Sequence, residues 1–182
     1  MRWCIGFKRL LLAGVVAAAA MLSLTQVAQA GPPSPDVPPE IQVPDGNKVF
    51  LIGHAVGVQI YTCNGITWSS AVPRANLYND HGKLIITHFR GPTWQAKDGS
   101  QAVGTVVDHV NRDKTAIDWV LLSTTTTPGR DGDRLVDTTF IQRINTAGGH
   151  TPPAADCNAA TVGTVVEVPY TADYVFWKKT AA

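Results

Sequence analysis

Residues 84–104, LIITHFRGPTWQAKDGSQAVG, decide the fold class. Lys83 to Phe89 is a short, largely apolar and β-branched run, the composition that fits a pleated, half-buried surface. Gly91-Pro92 turns the chain, Thr93 to Lys97 resumes the pattern, and Asp98-Gly99 turns it again before Gln101 starts a third run. Asp bonds its own backbone and Gly accepts positive φ, so Asp-Gly reads as a tight turn. Strands joined by connections this short pair antiparallel. His88, Arg90, Trp94 and Asp98 sit at the bends, an unusual concentration of polar and aromatic groups in a chain with only 16% charged residues.

The same pattern continues on both sides. Upstream, Val56 to Cys63 reads as a strand and Asn64-Gly65 as a hairpin turn leading into Ile66-Thr67-Trp68, because both turn residues tolerate the positive φ of a type I′ turn. Ala75 to Tyr78 is a short run closed by Asn79-Asp80-His81-Gly82. Downstream come Gln101 to His109, then Ala116 to Thr127, which is apolar at both parities around Trp119-Val120-Leu121-Leu122 and reads as a central strand. Thr127 to Leu135 carries Pro128-Gly129 and Asp131-Gly132 and reads as a loop. Asp137 to Asn145, Thr164 to Val168 and Ala172 to Lys178 complete the series. No segment after residue 31 repeats apolar residues at i, i+3, i+4 and i+7, so little helix is expected. Roughly ten short strands predict a single all-β domain, an antiparallel sandwich or a short barrel.

The N-terminal residues 1–30 read as a signal peptide: Arg2, Lys8 and Arg9 precede the apolar run Leu10 to Leu24, and Ala28-Gln29-Ala30 precedes the expected cut. The chain is therefore expected to be exported, to a periplasm or beyond the cell, with no membrane span left after cleavage. Losing those three basic residues changes the balance from 15 basic and 14 acidic to 12 and 14, a charge of −2. No basic patch remains for nucleic acid or an anionic membrane. Residues 31–45 form a Pro-rich extended arm, GPPSPDVPP at its start, with Ile41 to Val43 as a short edge strand; residues 46–182 form the β domain. Two cysteines, Cys63 and Cys157, follow the signal peptide. In an exported protein they are expected to form one disulfide, since neither has the CxxC neighbour of a metal site.

Side chains alternate along a strand. With Cys63 turned inward, Tyr61 and Gln59 share its face; His88 shares a face with Leu84 and Ile86; Arg143 and Asn145 share one with Ile141. Polar groups thus point toward an apolar interior, where they either bond one another and the backbone or line a small-molecule pocket.

GVQIYTC (57–63), HFRGPTW (88–94), DGS (98–100), IDWVLL (117–122), IQRINTAGG (141–149), Cys157 and VPYTADYVFW (168–177), in this order, resemble domain-of-unknown-function family 3455, exported bacterial and fungal proteins. The resemblance spans residues 46 to 178 and implies an extracytoplasmic β-rich domain with a Cys63–Cys157 bridge, without an established activity. Some fungal members carry a malate dehydrogenase label. Nothing here supports it: a nicotinamide site needs a Gly-rich strand-to-helix turn, and the chain has neither G-x-G-x-x-G nor a βαβ pattern. Asp118 stands where relatives tend to have Pro before the Trp.

Gln59, Tyr61, His88, Arg90, Trp94, Asp98 and Arg143 are the candidate ligand-binding residues, with Trp94 expected to be accessible beside Arg90. Arg143 is either an anion clamp or the partner of an Asp such as Asp173. The five histidines show no metal-ligand spacing, and no cofactor is expected. There is no G-x-S-x-G; His88 and Asp98 are the candidate catalytic pair of a hydrolase or lyase, as a base and its orienter. The favoured expectation is non-catalytic binding of a small-molecule or saccharide ligand, small or polymeric, in a cleft near His88, Trp94 and Asp98. A structural or stress-related envelope protein without a ligand is the third reading.

Overall fold

A computed structural model describes Met1 and residues 31–181; apart from Met1, the expected signal peptide lies outside the described residues. Eight strands follow one another: β1 (Asn47–Thr62), β2 (Val72–Tyr78), β3 (Leu84–Phe89), β4 (Thr93–Ala96), β5 (Gln101–Val110), β6 (Trp119–Thr127), β7 (Thr138–Gly148) and β8 (Val165–Lys179). Each pairs antiparallel with the next, and β8 pairs with β1 from Asn47↔Lys179 to Thr62↔Val165. The result is a closed barrel, which leaves no edge strand exposed to other chains. Three-residue 3-10 turns at Pro39–Ile41 and Ala154–Asp156 are the only helix among the described residues.

Fewer, longer strands replace the expected ten. β1 begins at Asn47 and runs straight through Gly53 and Gly57. These glycines mark close approach, not breaks: a Cβ on Gly57 would collide with Ala75 and the Arg74 carbonyl on β2. Likewise β8 unites the two expected runs on either side of Pro169. Asn64-Gly65 does not make a strand hairpin. Asn64 Oδ1 accepts from the backbone N–H of Ile66 and Thr67, and only Cys63 and Trp68 bridge across the loop. The side chain competes here for the hydrogen bonds that a strand ladder would use. The run expected from Ala116 joins the barrel only at Trp119, with Ala116 bridging Gly149.

In a meander of this kind the β1–β2, β3–β4, β5–β6 and β7–β8 connections share one end. The other end is sealed by the β6–β7 loop, whose Leu135 is fully buried and packs with the lumen core of Leu77, Ile86, Ile141 and Phe176. Asp98 holds that seal: Oδ1 accepts from the N–H and hydroxyl of Ser100 (3.0 and 2.6 Å), and Oδ2 from the Arg134 N–H (2.8 Å).

The arm is not a free lead-in. Ile41 is fully buried on the outside of the barrel against Val49, Leu121, Ile144, Val175 and Trp177. Its carbonyl accepts from Gln142 Nε2 (2.7 Å), and Gln142 Oε1 accepts from Trp177 Nε1 (2.8 Å). Ile41 lies in a 3-10 turn rather than the expected edge strand, since the closed barrel offers no edge to extend. At the loop-bearing end, Cys63 and Cys157 form the expected disulfide with Cα atoms 5.3 Å apart, buried with Tyr61 and Trp68. It closes a separation of 94 residues, worth about 4–5 kcal/mol on chain-entropy grounds.

Candidate functional site

The end opposite the Leu135 seal is a mouth. β1 contributes Gln59 and Tyr61, which point inward with Cys63 as the alternation requires. β3 and β4 bring His88 and Trp94 opposite each other in register, with rings stacked at 4.3 Å and 7°. β8 adds Tyr174, edge-on to both at 5.1 and 5.3 Å. Gly104 on β5 makes the space: a Cβ there would lie 2.7 Å from Leu122 and 3.0 Å from the Trp94 ring. Gln59, His88, Trp94 and Tyr174, with Arg90 and Arg143, border a cavity of about 210 Å³. A second depression of about 360 Å³ adjoins it through Val106, Val120 and Arg143, and reaches Tyr61, His109 and Asp118.

One polar group on this wall, the Trp94 indole N–H, is buried without a partner, and others reach the cavity without a protein partner. Gln59 is 2% exposed, and its amide makes no side-chain hydrogen bond among the described residues. The Trp94 indole N–H is buried and equally unpartnered, although an isolated buried donor or acceptor costs about 1–3 kcal/mol. His88 Nδ1 lies 3.0 Å from the Thr93 carbonyl. A carbonyl only accepts, so Nδ1 carries the hydrogen and Nε2 is left as an unpartnered acceptor in a ring that borders the cavity. Burial drives the imidazole pKa down to about 3, so His88 is neutral at any ordinary pH. Tyr61 is more fully satisfied: its hydroxyl donates to the Gly149 carbonyl at 2.7 Å, and burial raises its pKa.

A family model described as a protein of unknown function (DUF3455) matches residues 44–178. The chain belongs to this family. The match starts three residues before β1 and ends one residue before β8 does, so the DUF3455 segment is the barrel itself, and Ile41 of the strap lies outside it. No curated protein and no solved structure matches the chain.

The barrel gathers six of the seven candidate ligand-binding residues, Gln59, Tyr61, His88, Arg90, Trp94 and Arg143, at the mouth of the DUF3455 domain. Asp98 is elsewhere. It follows β4 at the sealed end, four residues beyond the partner of His88, or about 13 Å along the strand. Its carboxylate is held below the usual range, first by the Ser100 hydroxyl and then by backbone N–H groups. His88 and Asp98 therefore form no base–orienter pair in this structure. Trp94 is 1% exposed rather than accessible, because the β3–β4 corner folds its ring into the lumen. Arg143 does not pair with Asp173, which bonds His54 Nδ1 (2.6 Å) and Asn145 (2.8 Å) on the outer face. Asn145 reaches that face because a bulge, with Asn145 at φ 51°, breaks the alternation after Ile144.

Three contributors were not singled out from sequence. Tyr174 was legible in the alternation of Tyr170, Ala172, Tyr174 and Phe176, which turn one face of β8 inward. His109 and Asp118 carry no such signal. Asp118 Oδ2 lies 2.9 Å from His109 Nδ1, while Asn111 donates to Oδ1 at 2.7 Å. The contact spans the β5–β6 loop, from His109 near the end of β5 to Asp118 just ahead of β6.

Proposed function

We propose that this protein is a non-catalytic, exported domain that binds a small ligand in the barrel mouth. The observation that carries the reading is the Trp94 indole N–H: a buried donor in a ring that lines a preformed cavity, with no acceptor among the described residues. Buried polar groups are normally paired, and a ligand is one physical means of pairing them. An eight-stranded barrel has an interior wide enough for one small ligand. Trp94 stacks on His88 within the wall and offers no exposed face to a polymer, which favours a small molecule over a polysaccharide chain. The Cys63–Cys157 bridge supports an oxidising compartment, in keeping with the expected signal peptide.

The test is a fragment screen read by the Trp94 indole N–H resonance, assigned by its loss in Trp94→Phe. A binder should shift that resonance saturably, and Val72→Trp, which fills the mouth, should abolish the response in a protein that remains folded. A library that leaves the Trp94 and Gln59 side-chain signals unmoved would remove the basis of the proposal.

A hydrolase or lyase is the second reading, and its support moves from His88 and Asp98 to His109 with Asp118. That carboxylate orients Nδ1 and leaves Nε2 for a general base at the second depression. It predicts that a bound fragment is released chemically altered, and unaltered when His109 is replaced by Ala.

A further inference from the structure

Resting on the ligand-binding reading, we propose that the ligand is a small carboxylate, a single ring or short chain whose anionic head is held by the guanidinium of Arg143. Arg143 shares the lumen face with Ile141 and stands where the two cavities meet. Its Nε donates to the Asp118 carbonyl at 2.9 Å, which fixes the plane of the fork. A guanidinium has five N–H donors, and the four on the terminal nitrogens of Arg143 have no partner among the described residues. No carboxylate lies within ion-pair distance of it among those residues.

The surroundings reinforce this. The inner cavity has no acidic residue on its wall. Asp118, the one acid bordering the second depression, is turned to His109 and Asn111. Arg90 at the rim is exposed and likewise forms no ion pair, so it adds positive potential where a ligand enters. A half-buried cation with no counter-charge is unfavourable, and a planar carboxylate supplies both the charge and a bidentate match. The inner wall then accommodates the remainder of the molecule. Trp94 N–H and the Gln59 amide can donate, and Val72, Val120 and Leu122 provide apolar surface. A dry cavity of about 150 Å³ accepts benzene, so about 210 Å³ suits one ring with a short substituent.

Benzoate and benzamide are nearly isosteric and differ in charge, which makes them the probes. Titrated into the disulfide-bonded protein and followed by the Trp94 indole signal, benzoate should bind at least about tenfold more tightly than benzamide. Raising salt from about 0.05 to about 0.5 M should weaken benzoate alone. Arg143→Gln should abolish the preference by weakening benzoate to about the affinity of benzamide, with the Trp94 indole resonance of the free variant at its wild-type position reporting an intact cavity. Equal binding of the two probes, or a preference that survives in Arg143→Gln, overturns the carboxylate assignment and leaves small-ligand binding standing. Silence toward both probes overturns it too. If the fragment screen is also silent, ligand binding in the mouth falls with it.

Discussion

Replacing Gln59 by Met should make the ligand-free protein more stable. The substitution keeps an unbranched side chain of similar length and removes an amide that is 2% exposed and has no hydrogen-bond partner among the described residues. An unpartnered buried polar group costs about 1–3 kcal/mol, and water entering the cavity recovers part of that, so the expected gain is about 1–2 kcal/mol. For a domain of this size each kcal/mol moves Tm by about 2–4 °C, giving a rise of about 2–8 °C. The assay is thermal and urea unfolding with the disulfide intact, on protein refolded to strip any bound ligand. The urea midpoint should rise with an unchanged slope, because the surface exposed on unfolding hardly changes. The same variant should bind ligand more weakly, the exchange of stability for function expected of a binding residue. A midpoint that is unchanged or lowered refutes the reasoning, since it would mean that Gln59 is already satisfied within the fold.

Asp98→Ala should lose about 1–3 kcal/mol, by removing the acceptor of the Ser100 and Arg134 bonds, yet leave binding at the mouth unchanged; weakened binding would contradict its place at the sealed end. Ile41→Ala should cost about 2 kcal/mol, the low end for burying Ala in place of Ile because the strap can lift away, and should expose residues 37–44 to proteolysis; unchanged protection would show that the strap contact contributes little. His88 predicts acid sensitivity. Below about 6.5 the unfolded chain takes up a proton that folded His88 refuses until about 3, so stability should fall on acidification through that window, by about 2 kcal/mol between pH 6.5 and 5. His54 acts oppositely: hydrogen bonds to Asp80 and then Asp173 raise its pKa, so its contribution is full below 6.5 and lost as pH rises through the folded value. Urea titrations of His54→Gln therefore isolate the His88 slope, and a flat profile would contradict its burial in neutral form.

Period-two alternation made the all-β class and most strands legible, because it follows from local covalent geometry. It also placed Gln59, Tyr61 and Cys63 on one inward face, and the two cysteines after the expected signal peptide allowed one pairing. Local signals misled wherever a residue has two uses. Gly53, ahead of the run expected from Val56, resembles a break, yet serves as a close-approach point inside one long strand. Asp98 resembles a catalytic carboxylate, but its role is to hold Arg134 and Ser100 in the sealing loop.

Amino-acid sequence by itself determined the β class, most of the strands, the inward face of β1 and the residue types of the mouth. Tertiary structure alone decided which of those residues meet. Closure of β8 onto β1 makes a barrel, and the meander then sorts loops to two ends, sending His88 to the mouth and Asp98 to the seal. The same closure carries Tyr174 to His88, and the β7–β8 register sets Arg143 opposite Tyr174 and Asp173 opposite Ile144, on different faces. These are long-range consequences of register and topology. Side-chain alternation constrains each strand to two faces, but it does not set the partner across the lumen.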